Sequence, residues 1–200
     1  MPFPWIKNKI KKRIFFSKNN DNLVSELKDK GIVNKKILDT IKKVKRELFV
    51  NEISIQWAYE NMPLPIECGQ TISQPYVVAY MIDILKLKKT DKVLEIGTGT
   101  GYQTAIISHL CKKIYTIEIF NKLFLQAKTN INKLKIKNTV HKLDNGVNGW
   151  GEKILFDAII VSAASERTPL KLLQNLKEYG KIIFPKKYPL GNQKLILIKK

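Results

Sequence analysis

The stretch KVLEIGTGTGYQTAIISHLC, residues 92–111, decides the fold. Val93, Leu94 and Ile96 make a short apolar run of strand length, and the residues from Tyr102 onward carry the apolar spacing of a helix. Between them Glu95, Gly97, Gly99 and Gly101 form an E-x-G-x-G-x-G pattern at the junction. Glycines there let the backbone turn sharply and approach a ligand, and the following helix offers its free N–H groups to it. Toward the C-terminus the signals alternate. KIYTIEI (113–119) reads as a strand, NKLFLQAKTNINKL (121–134) as a helix, and TVHKL (139–143) and FDAIIVSA (156–163) as strands. TPLKLLQNLKEYG (168–180) reads as a helix ending at Gly180, and KIIFP (181–185) and KLILIK (194–199) as the last strands. Such an order predicts an α/β domain with a mostly parallel sheet covered on both faces, its ligand lying beyond the carboxyl ends of the strands.

Toward the N-terminus, Leu23, Val24 and Leu27 predict a helix stopped at Gly31, and Asn34 caps a second around Ile37, Leu38 and Ile41. Residues 47–72 hold Pro63, Pro65 and Gly69 and read as a long structured loop. Ser73 and Pro75 then open a helix whose expected buried face is Val77, Val78, Met81, Ile82 and Leu85. Residues 1–20 stand apart: six are basic and none is acidic, with Ile6, Ile10 and Ile14 at helical spacing. The expected organisation is therefore a basic extension (1–20) and one domain (21–200), divided into N-terminal helices with a substrate-side loop (21–90) and an α/β core (91–200).

The formal net charge of +19 invites a nucleic-acid reading, but only Arg13, Arg46 and Arg167 among the 36 basic residues are arginines. Sites that grip phosphate or read bases lean on arginine's bidentate fork, so the lysines read as a solvated surface with no specific nucleic acid expected. Residues 1–20 could still touch an anionic surface weakly. No run reaches the ~18 apolar residues of a membrane span. Cys68 and Cys111 lie far apart, without metal-ligand or disulfide spacing, which points to the cytoplasm and to no metal. His109 and His141 read as packing or surface residues.

The glycine spacing separates nucleotides. Dinucleotide sites favour G-x-G-x-x-G, whereas here the third glycine comes one place earlier, as in S-adenosylmethionine-dependent methyltransferases. Glu118 closes the next strand, where a carboxylate can accept from both ribose hydroxyls. QTISQPYVVAYM (70–81) followed by VLEIGTGTGYQTA (93–105) resembles the protein-L-isoaspartate O-methyltransferase family. The likeness extends to KGIVNKKILDTIKKVKRELFV, AYENMPLPIECGQTISQP, DNGVNGW, FDAIIVSAA and LKEYGKIIFP, covering about residues 21–200.

The resemblance implies a Rossmann-like methyltransferase fold with N-terminal helices. It also implies methyl transfer from S-adenosyl-L-methionine to the free α-carboxylate of L-isoaspartyl residues in damaged proteins and peptides. Ser73 falls on the family's active-site serine, with Thr71 and Gln74 beside it for substrate. Glu95, Gly97, Gly99, Gly101, Glu118 and Asn145 fall on the cofactor side. Trp150 could line the adenine pocket or fill the core, and Ala163 and Ala164 leave space beside the cofactor. Two departures stand out: Asn145 replaces the carboxylate expected near the adenine amino group, and no strand follows KLILIK, which predicts an exposed sheet edge. Two other readings remain open: an RNA or small-molecule methyltransferase of the same fold, or a non-catalytic S-adenosylmethionine-binding protein.

Overall fold

The computed structural model describes residues 17–151 and 154–200; the stripe expected at Ile6, Ile10 and Ile14 lies outside them. Helix α1 (Asn20–Asp29) is capped by Asn19, whose side chain accepts from Asn22 N while the Asn22 side chain accepts from Asn19 N. Helix α2 (Lys35–Lys43) is capped by Asn34, as its sequence predicts. Ser17 and Lys18 already bind the domain, through Gln56 O, Glu60 and Glu26, so residues 17–20 sit with the fold rather than with the extension expected to end at residue 20.

Residues 46–72 run through 3₁₀ turns and a two-strand antiparallel ribbon, β1 (Leu64–Pro65) with β2 (Thr71–Ile72). What organises this loop is Arg46, fully buried in a chain whose other charges mostly face water. Its guanidinium donates to the carbonyls of Ala58 (2.8 Å), Glu60 (3.1 Å), Met62 (3.0 Å) and Ser73 (3.1 Å). Desolvation lowers its pKa to about 10, which leaves it charged at neutral pH. No carboxylate among the described residues pairs with it, and carbonyl dipoles take that role.

Helix α3 (Pro75–Leu85) begins two residues later than Ser73. Gln74 takes the N-cap position without a side-chain cap, and the capping oxygen comes instead from Asn61, whose Oδ1 accepts from Tyr76 N at 3.0 Å.

The core is a six-stranded sheet in the order β5-β4-β3-β6-β7-β8. Its strands are β3 (Lys92–Ile96), β4 (Lys113–Glu118), β5 (Thr139–Leu143), β6 (Phe156–Val161), β7 (Leu176–Lys187) and β8 (Gln193–Lys199). All pair in parallel except β8, which runs antiparallel to β7. Period-2 alternation sorts neighbours to opposite faces. Val93, Ile160 and Ile183 join the core under α1 to α3, α4 (Tyr102–Ser108) and α5 (Asn121–Lys133), whereas Leu94, Ile159 and Ile182 join Trp150, Phe156 and Leu172 on the other face. Trp150 is thus a core residue, edge-on to Tyr115 at 5.0 Å.

The helix expected over 168–180 is corrected. Helix α6 (Leu170–Gln174) lasts five residues, and the chain enters β7 at Leu176. Leu176 pairs with Phe156 and Lys181 with Ala158, so the intervening residues loop out, with Tyr179 exposed at φ 60°. Burying Leu176 beside Phe156 outweighs another helical turn whose next positions, Lys177 to Tyr179, bring no apolar side chain inward. At the far side of the sheet, β8 is the outer strand, as expected.

Candidate functional site

The switch point lies between β3 and β6, where the chain leaves in opposite directions along the sheet, and a cleft of about 870 Å³ opens there at the carboxyl ends of the strands. Residues 97–100 form its floor; Gly101, expected on the cofactor side, does not line it, because its backbone packs against Ala127 and Ile131 of α5. Gly97, Gly99 and Gly101 all adopt positive φ (91°, 56° and 95°), a region that L side chains avoid. Thr98 and Thr100 between them are buried, so the turn presents backbone to the cleft.

Glu118 sits at the end of β4 and lines the cleft. Its carboxylate accepts from Gly99 N (2.7 Å), Ile119 N (3.0 Å) and Phe120 N (3.0 Å). It therefore locks the glycine turn to the β4–α5 loop, and three of its roughly four lone-pair sites are taken. On the next loop Asp144 pairs with Lys142 at 2.8 Å, which holds its pKa below the ordinary aspartate value. Asn145 Oδ1 accepts from Val147 N, which leaves its amide N–H groups for the cleft. A Cβ on Gly146 would meet the Ile96 side chain at 2.4 Å, so this loop packs flat against the end of β3.

On the opposite wall Thr71 and Ser73 line the cleft. Because Asn61 caps α3, the Ser73 hydroxyl is not spent on the helix, and it has no hydrogen-bond partner among the described residues. Ala163 and Ala164 flank the cleft beyond β6.

Two further sequence assignments are corrected. Gln74 is turned away: its amide donates to Asn61 O at 2.8 Å, bracing the start of α3, and it does not line the cleft. Glu95 does not line it either. Its carboxylate is wholly buried beneath the turn, accepting from Gln103 Nε2 (2.9 Å), Thr116 Oγ1 (2.7 Å) and Thr104 Oγ1. The effect of Glu95 passes through Gln103, whose amide also donates to Ser162 Oγ at 2.9 Å and which does reach the cleft.

Burial raises the Glu95 pKa to about 7 against these three donors. The folded state then holds the proton more tightly than the unfolded chain. Stability on this account is highest below about pH 4.5 and falls as pH rises through the window up to about 7. His109 and His141, both depressed by burial, act in the opposite sense. Glu95→Gln is expected to remove the Glu95 contribution, so the difference in denaturant midpoint between variant and parent should shift in the variant's favour from pH 5 to pH 8. A difference independent of pH would refute the assignment.

Sequence reading missed the apolar rim. Ile119 and Phe120, 57% and 37% exposed, line the cleft beside Glu118, with Val147 and Leu170 near the 144–147 loop and α6. A signal was present: two large apolar residues directly after a strand-ending carboxylate fit neither strand alternation nor a solvated turn.

Residues 18–200 match the family described as protein-L-isoaspartate(D-aspartate) O-methyltransferase. The chain is 44% identical over 180 residues to the protein-L-isoaspartate O-methyltransferase of Parvibaculum lavamentivorans, an alignment covering 89% of this chain and 81% of that protein. With the enzyme of the same name from Dictyoglomus turgidum it shares 48% identity over 164 residues, 82% of this chain and 74% of the relative. Among solved structures, a Plasmodium falciparum protein described as an isoaspartate methyltransferase, in complex with S-adenosyl-L-homocysteine, superposes with a TM-score of 0.80. It is 28% identical, and the alignment covers 92% of this chain and 90% of that one. On the breadth of these matches, this chain belongs to the protein-L-isoaspartate O-methyltransferase family.

Proposed function

We propose that this chain transfers a methyl group from S-adenosyl-L-methionine to the α-carboxylate of L-isoaspartyl residues. Glu118, Asn145 and residues 97–100 hold the cofactor in this reading, and Thr71 and Ser73 present the acceptor. The observation that carries it is the Ser73 hydroxyl, left unengaged on the cleft wall by the cap that Asn61 supplies. The residues fit the cofactor: a positive-φ glycine cradle, a strand-end carboxylate with a lone pair for ribose hydroxyls, and Asn145 N–H groups for a ring-nitrogen acceptor.

When bound, the cofactor supplies an electrophilic methyl on a sulfonium. The acceptor carboxylate, with an ordinary pKa near 4, is already ionised at pH 7. No general base is needed, and the work left to the chain is alignment and exclusion of water. Ser73 donates to one acceptor oxygen and turns the other toward the methyl. Positive potential at the start of α3 favours the anion. Neutralisation of sulfonium and carboxylate as the bond forms is helped by the apolar rim at Ile119, Phe120 and Leu170.

Isoaspartyl proteins and peptides are the partners in this reading. The lysine-rich surface is a solvated face, to which residues 1–20 add a weak anionic-surface contact. No described helix is long and apolar enough to cross a membrane. A cytoplasmic setting suits free Cys68 and Cys111. Labelled methyl transfer to a matched peptide pair tests the function: the isoaspartyl peptide should be methylated and its aspartyl twin left unlabelled at equal concentration. Equal labelling of both, or of neither, would overturn it.

A further inference from the structure

In a chain that uses lysine at nearly all of its 36 basic positions, each arginine calls for a reason. Arg13 lies outside the described residues, and Arg46 is sealed among carbonyls. Arg167 is the one guanidinium exposed to solvent among the described residues, and it lines the cleft. It has no ion-pair partner among them. The carboxylates that line the cleft are engaged elsewhere, Glu118 by three backbone N–H groups and Asp144 by Lys142. The other cation on the wall, Lys171, donates to Asn148 Oδ1 at 2.9 Å.

The backbone that carries Arg167 is pinned. Ser165 N donates to Pro185 O (3.0 Å), and Lys187 N donates to Ser165 O (2.9 Å). Ser165 Oγ donates to Arg167 O at 2.6 Å and accepts from Arg167 N at 3.3 Å. A permanently charged, planar fork is thus carried on the wall just beyond Ala163 and Ala164, with no ion-pair or hydrogen-bond partner among the described residues.

We infer that Arg167 is a specificity-determining residue that pairs with a second carboxylate of the substrate, on a residue flanking the isoaspartyl position. This rests on the methyl-transfer reading above and adds to it a preference for acidic-flanked isoaspartyl peptides. The reacting carboxylate is the wrong partner for the guanidinium. It becomes a neutral ester, so a pair with it weakens on the way to the transition state and opposes the reaction. A flanking carboxylate keeps its charge throughout. Its pair with Arg167 strengthens ground state and transition state alike, which lowers KM and leaves kcat unchanged.

The test uses the full chain and three isoaspartyl peptides that differ only in acidic, neutral or basic residues on both sides of the isoaspartate. The unaltered protein should favour the acidic over the neutral peptide roughly tenfold in kcat/KM at low salt, the whole difference lying in KM. Arg167→Gln should bring that ratio to within about twofold while the neutral peptide keeps its kcat, and Arg167→Glu should favour the basic peptide. Lys133→Gln, an equal loss of charge on an exposed residue outside the cleft, should leave the ratio unaltered. An unchanged ratio in Arg167→Gln, or an equal loss on all three peptides, would overturn the inference with the methyl-transfer reading intact. Failure of the unaltered protein to methylate any of the three would remove both.

Discussion

Replacing Glu118 by Ala is expected to weaken S-adenosyl-L-homocysteine binding by roughly 10- to 150-fold, the equivalent of one charge-assisted hydrogen bond worth about 1.5–3 kcal/mol. A carboxylate offers about four lone-pair sites, and three are taken by Gly99 N, Ile119 N and Phe120 N. Only one strong bond to a ribose hydroxyl remains, which limits the direct loss. The substitution also frees the three N–H groups and unlocks the glycine turn from the β4–α5 loop, so part of the loss should appear as a slower association. Titration calorimetry with the demethylated cofactor measures the affinity, and a dissociation constant within twofold of the parent would sink the ribose assignment.

Ser73→Ala should separate chemistry from stability. Loss of one hydrogen bond to a charged acceptor corresponds to a fall in kcat/KM for an isoaspartyl peptide of roughly 10- to 150-fold. Cofactor affinity should hold within about twofold. Thermal stability should hold as well, because the cap of α3 belongs to Asn61. Asn61→Ala is the informative contrast: it removes the acceptor of Tyr76 N and is expected to destabilise the fold by about 1 kcal/mol. If Ser73→Ala instead lowers the melting temperature and leaves corrected activity intact, the serine is a structural residue.

Much of this architecture is legible in the sequence because its decisive elements are locally determined. The run from Lys92 to Cys111 contains a strand, a turn that only glycine tolerates and a helix, and each carries its own signal within a few residues. Ser73 and Glu118 are legible for the same reason, one beside a helix start and one at a strand end. Failures of local reading share one cause: contacts between residues distant in sequence. Leu176 continues a helical pattern and becomes a strand because Phe156, twenty positions earlier, offers it a partner. Gln74 looks like a site residue until Asn61 claims its amide, and Glu95 looks like a ligand contact until Thr104 and Thr116 surround it. No local pattern encodes Arg46 as the hub of four carbonyls.

That hub bears on how the cleft receives a peptide. Peeling the 58–62 segment away from Ser73 would leave a buried guanidinium facing empty acceptor positions, an uncompensated charge whose exposure is strongly unfavourable. Those four bonds tie the wall bearing Ser73 to one arrangement, and the entropy of ordering it is prepaid when the chain folds. The facing wall is less braced: beyond the pinned backbone at Arg167, α6 is one short helix and Leu170 projects into solvent. One side is an anvil braced from beneath, and the other has less structure of its own to lose when a peptide is laid upon it.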